Sequence, residues 1–322
     1  MAIFQPVYYI IAFFICQHKS HTLGFFIMKL TDISYVKELM RESGINFKKQ
    51  FGQNFLINPE IPERIANECQ QDTESAILEI GPGIGTLTRS LCERFSRVLA
   101  VEIDTGLMPI LKQTLADFDN VKVINQDILK TDIAAVIKEH FGNQKVSVCA
   151  NLPYYITTPV IVKLLESSAR FDTITVMVQK EVAIRLCADH TDKEWSAISA
   201  FCSYYAASKR LFDVSAGNFL PPPKICSTVM QFQPYVTPPV QPKNTEFMFL
   251  LIKKAFEQRR KTLINALSGI SASLSKEDIR NALLSLNLNE NVRGEVLSLQ
   301  NFADLSDILE KRAPVVLDKK MF

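Results

Sequence analysis

The sequence predicts an α/β protein: a parallel, doubly wound, Rossmann-like sheet followed by a small C-terminal all-helical domain. Three observations carry this reading. Four short apolar runs, Ala76-Ile77-Leu78-Glu79-Ile80, Val98-Leu99-Ala100-Val101-Glu102, Val121-Lys122-Val123-Ile124-Asn125 and residues 146–150, alternate with stretches of helical spacing, and that alternation is the mark of strand–helix–strand units. The first run breaks into Gly81-Pro82-Gly83-Ile84-Gly85, and helical spacing resumes at once in Thr86-Leu87-Thr88-Arg89-Ser90-Leu91. Beyond a linker carrying Pro234, Pro238, Pro239 and Pro242, the pattern is wholly helical.

At 322 residues the chain suits one large domain plus a small one rather than a single core. An apolar fraction of 47% and a net charge of +2 describe a folded soluble protein. Charge is unevenly placed. From Ala200 onward 16 Lys and Arg face 11 Asp and Glu, a net of +5, while the first 199 residues sum to −3. A basic C-terminal part suits a polyanionic partner. Seven cysteines without a Cys-x-x-Cys pair and only four histidines provide neither a zinc site nor a disulfide framework, so reduced thiols in a cytoplasmic protein are expected.

The chain opens with an apolar run over residues 7–16. That run lacks a basic leader, a small-residue cleavage pattern and the roughly 20 residues of a membrane span. Met28-Lys29-Leu30 reads as a better beginning, so residues 1–28 are expected to be an extension outside the fold, arising from an upstream start. Residues 31–43 have helical spacing through Ile33, Val36, Leu39 and Met40 and end at Gly44. In Phe47-Lys48-Lys49-Gln50-Phe51-Gly52-Gln53-Asn54-Phe55-Leu56, basic and polar side chains alternate with aromatics, which reads as a surface loop with the makings of a ligand contact. Asn58-Pro59 caps a helix that carries Ile61, Ile65 and Cys69 inward.

The glycine turn is the centre of the chain. A strand, a glycine turn and a helix start let backbone approach a ligand closely, because a Cβ would be in the way. The dinucleotide fingerprint requires Gly-x-Gly-x-x-Gly, and its last position here is Thr86, so the register is wrong for NAD or FAD. No Gly-Lys-Ser/Thr follows, which excludes a phosphate loop for ATP. Glu102 ends the second strand near the point where such sheets bind ribose hydroxyls, roughly 20 residues past the glycines. Asp127 lies just beyond the third strand, and the fourth runs straight into Asn151-Leu152-Pro153-Tyr154. The ligand crevice of a doubly wound sheet opens at the carboxyl ends of its strands, where the glycine turn, Glu102, Asp127 and Asn151 all fall.

Residues 174–178 form a fifth strand, 195–205 a helix and 227–232 a late strand, with Phe219-Leu220-Pro221-Pro222-Pro223-Lys224 as a proline-stiffened loop. The helical segments that follow are 245–267, 276–286 and 301–311.

Asn151-Leu152-Pro153-Tyr154 resembles the Asn-Leu-Pro-Tyr motif of adenine-N6 methyltransferases. Together with Phe51-Gly52-Gln53-Asn54-Phe55-Leu56, Glu79-Ile80-Gly81-Pro82-Gly83, Gln126-Asp127-Ile128 and residues 219–224, it is similar to the KsgA (RsmA) family. Those proteins are S-adenosylmethionine-dependent dimethyltransferases of small-subunit (16S) rRNA. The resemblance runs from about Phe47 to about Leu309 and includes the helical stretch Phe256-Glu257-Gln258-Arg259-Arg260-Lys261-Thr262-Leu263. Two departures stand out. Trp195-Ser196 replaces the family's usual Tyr-Gly, and Cys226 stands where an Asp is common, which leaves local packing and RNA contacts open.

The resemblance implies a class I S-adenosylmethionine-dependent methyltransferase with a catalytic domain at 29–235 and a helical RNA- and ribosome-binding domain at 243–322. Adenine N6 is a poor nucleophile because its lone pair is delocalised into the ring. By resemblance, the Asn151 side-chain oxygen and the Leu152 carbonyl accept the two N6 hydrogens and stabilise charge developing on nitrogen. Pro153 fixes the corner, Tyr154 stacks on the extruded base, and Phe219 covers its other face. Gly81 and Gly83 lie beside the cofactor's amino-acid moiety, Glu102 takes the ribose hydroxyls, Asp127 takes the adenine amine, and Ile103 and Ile128 flank the ring. Asn54 and Leu56 close the cofactor site, to which Asn151 also belongs. No metal is required.

Lys48, Lys49, Lys224, Arg259, Arg260 and Lys261 are the candidates for contact with 16S rRNA in the small subunit or its precursor, beside Lys253 and Lys254, with a solvated helix face as the competing explanation for the later ones. The implied protein is a cytoplasmic monomer that dimethylates two adjacent adenosines and does not bind membranes. Two alternatives stay open: an Erm-type enzyme acting on 23S rRNA, which typically has Ile in place of Leu152, and a ribosome-assembly factor whose catalysis is secondary.

Overall fold

The computed structural model describes residues 30–44, 54–69, 74–271 and 273–312. The expected N-terminal extension, the loop with Lys48 and Lys49, and the Phe51-Gly52-Gln53 part of its motif lie outside the described residues. The chain divides into two compact units. One comprises Met1–Thr157, Ala169–Val178 and Asp213–Val229; the other comprises Thr158–Ser168, Gln179–Phe212 and Met230–Phe322.

The first unit begins with α1 (Ile33–Glu42), whose entry is capped by Asp32 and whose Val36, Leu39 and Met40 are buried. A two-residue strand, β1 (Phe55–Leu56), leads to α2 (Glu60–Cys69). Asn58 caps α2, its side chain accepting from Glu60 N at 3.1 Å. Next come β2 (Ala76–Ile80), α3 (Thr86–Cys92), β3 (Arg97–Glu102), α4 (Met108–Thr114), β4 (Val121–Asn125), α5 (Ile133–Phe141) and β5 (Val146–Asn151). All five residues of β2 are buried, as a parallel strand with helices on both faces requires. This is why the run reads as continuously apolar rather than alternating.

α6 (Thr157–Glu166), β6 (Ile174–Gln179), α7 (Lys180–Leu186), α8 (Ala197–Tyr205), β7 (Ala206–Val214), β8 (Phe219–Leu220) and β9 (Ser227–Pro234) follow. The large sheet has the order β4-β3-β2-β5-β6-β9-β7. β2 pairs in parallel with β3 on one side and β5 on the other, Ile80 lying beside Val101 and Ala150. The chain therefore winds outward through β3 and β4, then returns across β2 to β5 and β6. That reversal is the topological switch point at which open α/β sheets bind ligands. The expected sheet and its strands are present. β7 is an addition that no apolar run announces. It is the last strand of the sheet, with exposed Lys209 and Arg210, and an edge strand needs neither a continuous apolar run nor a clean alternation.

In the second unit, α9 (Thr245–Glu257) packs Phe249 against Phe201 and Tyr205 of α8, with ring centroids 5.5 and 6.1 Å apart. The expected single helix over 245–267 is corrected to two, α9 and α10 (Leu263–Leu267). The chain leaves the helix at Gln258 (φ −121°, ψ 46°). A turn follows, with Lys261 N donating to Gln258 O, and Leu263 N reaches across to Val292 O at 2.7 Å. α11 (Lys276–Ser285) and α12 (Leu299–Leu309) complete the unit, each opened by a capping box, Ser275 with Asp278 and Ser298 with Asn301.

Candidate active site

At the carboxyl ends of β2, β3, β4 and β5 lies a cavity of about 240 Å³. Its walls include Asn54, Leu56, Gly81, Gly83, Glu102, Ile103, Asp127, Ile128, Asn151, Leu152, Pro153, Tyr154 and Phe219. Every residue assigned to chemistry or to cofactor from the sequence is thus brought to one place.

The turn after β2 needs its glycines for two reasons. Gly81, Gly83 and Gly85 all have positive φ, +73°, +61° and +90°, a region in which a Cβ is strained. A Cβ on Gly83 would also stand 3.0 Å from Cε1 of Phe55, so the close approach there is to a protein ring. Glu102 is tied to this turn. Its Oε2 accepts from Gly83 N at 3.2 Å and its Oε1 from Asp104 N at 2.8 Å. Burial raises its pKa, and those backbone donors oppose the rise. One carboxylate thereby fixes the glycine turn against the end of β3. Asp127 is held in the same manner, Oδ1 accepting from Leu129 N at 2.9 Å. Ile103 is 46% exposed at the cavity mouth while Ile128 is buried.

Asn151 is the last residue of β5. Its Nδ2 donates to the main-chain oxygen of Asn54 at 3.2 Å, across 97 positions of sequence. With the nitrogen end so engaged, the amide presents Oδ1 as an acceptor at its opposite end. Leu152 is buried and its N–H donates to Met177 O at 3.3 Å. Pro153 O accepts from Ile156 N at 3.1 Å, closing a turn with Tyr154 and Tyr155 at its centre. The Tyr154 hydroxyl is 2.9 Å from Ser227 Oγ, and burial raises its pKa against the lowering effect of that serine. Phe219 belongs to a short strand rather than a loop. β8 pairs antiparallel with β1, setting Phe219 opposite Leu56, so the two are placed together by one ladder.

Glu79 is a charged wall residue to which the sequence reading gave no role. It sits on β2, 1% exposed, and burial pushes its carboxyl up to about 8, lowered by the nearby Thr88 hydroxyl and raised by the Glu102 charge. Its signal in the sequence was available: an acid inside an otherwise apolar buried strand. Glu79 Oε2 and the Thr86 hydroxyl are buried in the cavity wall with no hydrogen-bond partner among the described residues. Unmet acceptors, two further carboxylates and the apolar Ile103 and Ile128 fit a ligand that combines a cationic group with a flat heterocycle and hydroxyls, as S-adenosylmethionine does.

The basic candidates separate. Lys48 and Lys49 lie outside the described residues. Lys224, Arg260 and Lys261 are exposed. Arg259 Nε donates to Glu295 at 2.5 Å and its Nη2 to Lys193 O at 2.8 Å, so its guanidinium braces the turn after α9. The residues 259–261 do not radiate from a helix as expected, because the helix has ended at Glu257. Trp195 is 2% exposed, its Nε1 donating to Leu297 O at 3.2 Å and its ring edge-on to Phe256. Its neighbour Ser196 caps α8. That departure therefore concerns packing. Cys226 Sγ is 3.4 Å from Val214 O.

Residues 44–311 match the family model described as ribosomal RNA adenine dimethylase. Among curated proteins, the chain is 43% identical over 278 residues to the ribosomal RNA small subunit methyltransferase A of Alkaliphilus metalliredigens, covering 86% of this chain and 97% of that one. It is 44% identical to the protein of the same name from Bacillus pumilus, covering 85% and 95%. Among solved structures, a dimethyladenosine transferase from Plasmodium falciparum aligns with a TM-score of 0.66 at 24% identity, over 80% of this chain and 98% of that one. The 23S rRNA methyltransferase ErmE aligns at 0.62 and 22%, over 80% and 100%; these two likenesses establish the class I methyltransferase fold. With its motif residues gathered in one cavity and its whole central sequence matched, the chain belongs to the ribosomal RNA adenine dimethylase family.

Proposed function

We propose that this protein dimethylates the N6 amines of two adjacent adenosines in 16S rRNA, using S-adenosylmethionine, during maturation of the small ribosomal subunit. The single observation that carries the reading is the tie between Asn151 Nδ2 and Asn54 O, which leaves Oδ1 as the acceptor end of an amide in the wall of the cavity that also holds the glycine turn, Glu102 and Asp127. When bound, the cofactor supplies a methyl group activated on a sulfonium.

The chain supplies position and polarity. Asn151 Oδ1 and the Leu152 carbonyl accept from the target amine and favour the pyramidal nitrogen in which positive charge grows. The Asn151 amide is tied down before substrate arrives, so little reorganisation remains there for the chemical step. Tyr154 and Phe219 take the base between them, and such stacking is worth ~1–3 kcal/mol. Extrusion is needed because N6 cannot be reached within a stack. A methylated adenine ammonium is acidic enough to lose its proton to water, which is consistent with a neutral asparagine at the reaction point. Glu102 and Asp127 hold ribose and adenine of the cofactor, with Gly81, Gly83, Ile103, Ile128, Asn54 and Leu56 around them.

Lys224, Arg260 and Lys261, with Lys48 and Lys49, engage RNA phosphates. The domain assignment is 29–235 for catalysis and 243–322 for RNA and ribosome binding, and the protein works as a cytoplasmic monomer. Among the described residues no helix is long and apolar enough to cross a membrane.

The test is transfer of tritiated methyl groups to small subunits that lack the modification, with large subunits as the second substrate. Label in the small subunit alone, recovered as dimethyladenosine, is expected. Label confined to the large subunit would replace the proposal with the Erm-type reading.

A further inference from the structure

Tyr155 is a large side chain left 58% exposed at the mouth of the cavity, and none of the described residues covers it. Its neighbour Tyr154 behaves differently, half-buried with its hydroxyl against Ser227. The two occupy the centre of the turn closed by Ile156 N to Pro153 O at 3.1 Å, where consecutive side chains diverge. Tyr154 turns toward β9, and Tyr155 turns toward the ends of β3 and β4. The charges that act on Tyr155 are those of Asp127 and Glu102, which add to partial burial in keeping its hydroxyl protonated. Ile103, 46% exposed, is also in this wall. Two exposed apolar side chains at the rim of one pocket, with two carboxylates between strands beneath them, describe a ligand surface waiting for its cover.

We infer that Tyr155 closes over the adenosyl part of the cofactor, opposite Ile103, while Tyr154, with Phe219, serves the target base. The inference rests on the cofactor assignment above. A ring of this kind adds contact area at little entropic cost, having two rotatable bonds, and it divides one turn between two ligands. Tyr155 is thus a cofactor-binding residue whose role does not depend on RNA.

The experiment is calorimetric titration with S-adenosylhomocysteine in the absence of RNA, on the full chain, comparing wild type with Y155A and Y155F. Because the side chain is exposed, both variants are expected to melt with wild type. Y155A should bind about tenfold more weakly, and Y155F within about threefold of wild type, since the ring carries the contact. An unchanged dissociation constant for Y155A overturns the inference. If that constant is unchanged while the KM for undermethylated small subunits rises, the ring serves RNA and the inference is equally overturned. Failure of the wild type itself to bind S-adenosylhomocysteine would instead remove the cofactor assignment, so the two failures are distinguishable.

Discussion

Asn151 Nδ2 lies 3.2 Å from the main-chain oxygen of Asn54, and this hydrogen bond takes up the nitrogen end of the Asn151 amide. The partner is a backbone oxygen that no side-chain substitution at 54 removes. Orientation therefore depends on the path of the chain entering β1, which is itself held by pairing with β8. Asn151→Ala removes the acceptor and is expected to lower methyl transfer by roughly 10²–10³-fold, the usual cost of losing one preorganised group at a developing charge. Affinity for S-adenosylhomocysteine should fall by much less, since Asn151 is one of many residues around the cofactor. Single-turnover transfer and calorimetry check the two halves, and transfer at more than a tenth of the wild-type rate would exclude Asn151 as the acceptor.

Glu102 binds the glycine turn and, in our reading, ribose. Glu102→Ala should raise the cofactor dissociation constant by roughly 10–100-fold, since hydrogen bonds to a charged group are worth ~1.5–3 kcal/mol. Calorimetry without RNA measures this. Unaltered binding would leave Glu102 a purely structural tie to Gly83 and Asp104.

Glu79 makes stability depend on pH. In the folded protein its carboxyl is pushed up to about 8, against an ordinary value of 4.5. Between those values the folded chain keeps a proton that the unfolded chain has lost. Stability is full below about pH 4.5 and falls as pH rises toward 8, by ~1.4 kcal/mol per unit from this group alone. Glu79→Gln, neutral at every pH, should flatten the decline. Urea midpoints from pH 5 to pH 8 in the absence of cofactor are the measurement, and parallel curves for the two proteins would refute the assignment.

Arg259 and its two neighbours should behave differently toward RNA. The Arg259 pair with Glu295 is partly exposed, so Arg259→Ala is expected to cost no more than about 1 kcal/mol of stability and to leave the salt dependence of RNA binding unchanged. Arg260→Ala or Lys261→Ala should weaken binding across sequences and lower the salt slope by about 1. Filter binding at several salt concentrations separates the cases. A reduced slope for Arg259→Ala would show that its pairing opens on the ribosome.

Trp195 should matter to folding alone. Replacing it with Ala empties a fully buried site and leaves Leu297 O without its donor, for roughly 3–5 kcal/mol. Trp195→Phe should fold with a smaller loss and keep wild-type RNA affinity. An RNA affinity that falls with the Phe variant would restore the idea that this departure from the family pattern touches RNA.

Much of the fold, and the gathering of the candidate site residues on one rim, were legible in the residues. A buried parallel strand reads as an unbroken apolar run, so β2, β3 and β5 announce themselves, and strand ends in a doubly wound sheet fall on one rim by geometry. Gly81, Glu102, Asp127 and Asn151 could therefore be gathered before any coordinate was known. What local pattern could not reach were features set by partners far away in sequence. The edge strand β7 is defined by its neighbour rather than by its own side chains. The break at Gln258 is held by Arg259 with Glu295 and by Leu263 with Val292. Glu79 acquires its proton from the burial around it, Trp195 its role from Leu297, and Asn151 its direction from Asn54. Sequence by itself determined which chemistry is present and on which rim it stands, because strand period and turn residues are local properties. Tertiary structure alone decided which way each group faces, because hydrogen-bond partners and dielectric surroundings come from segments that only folding brings together.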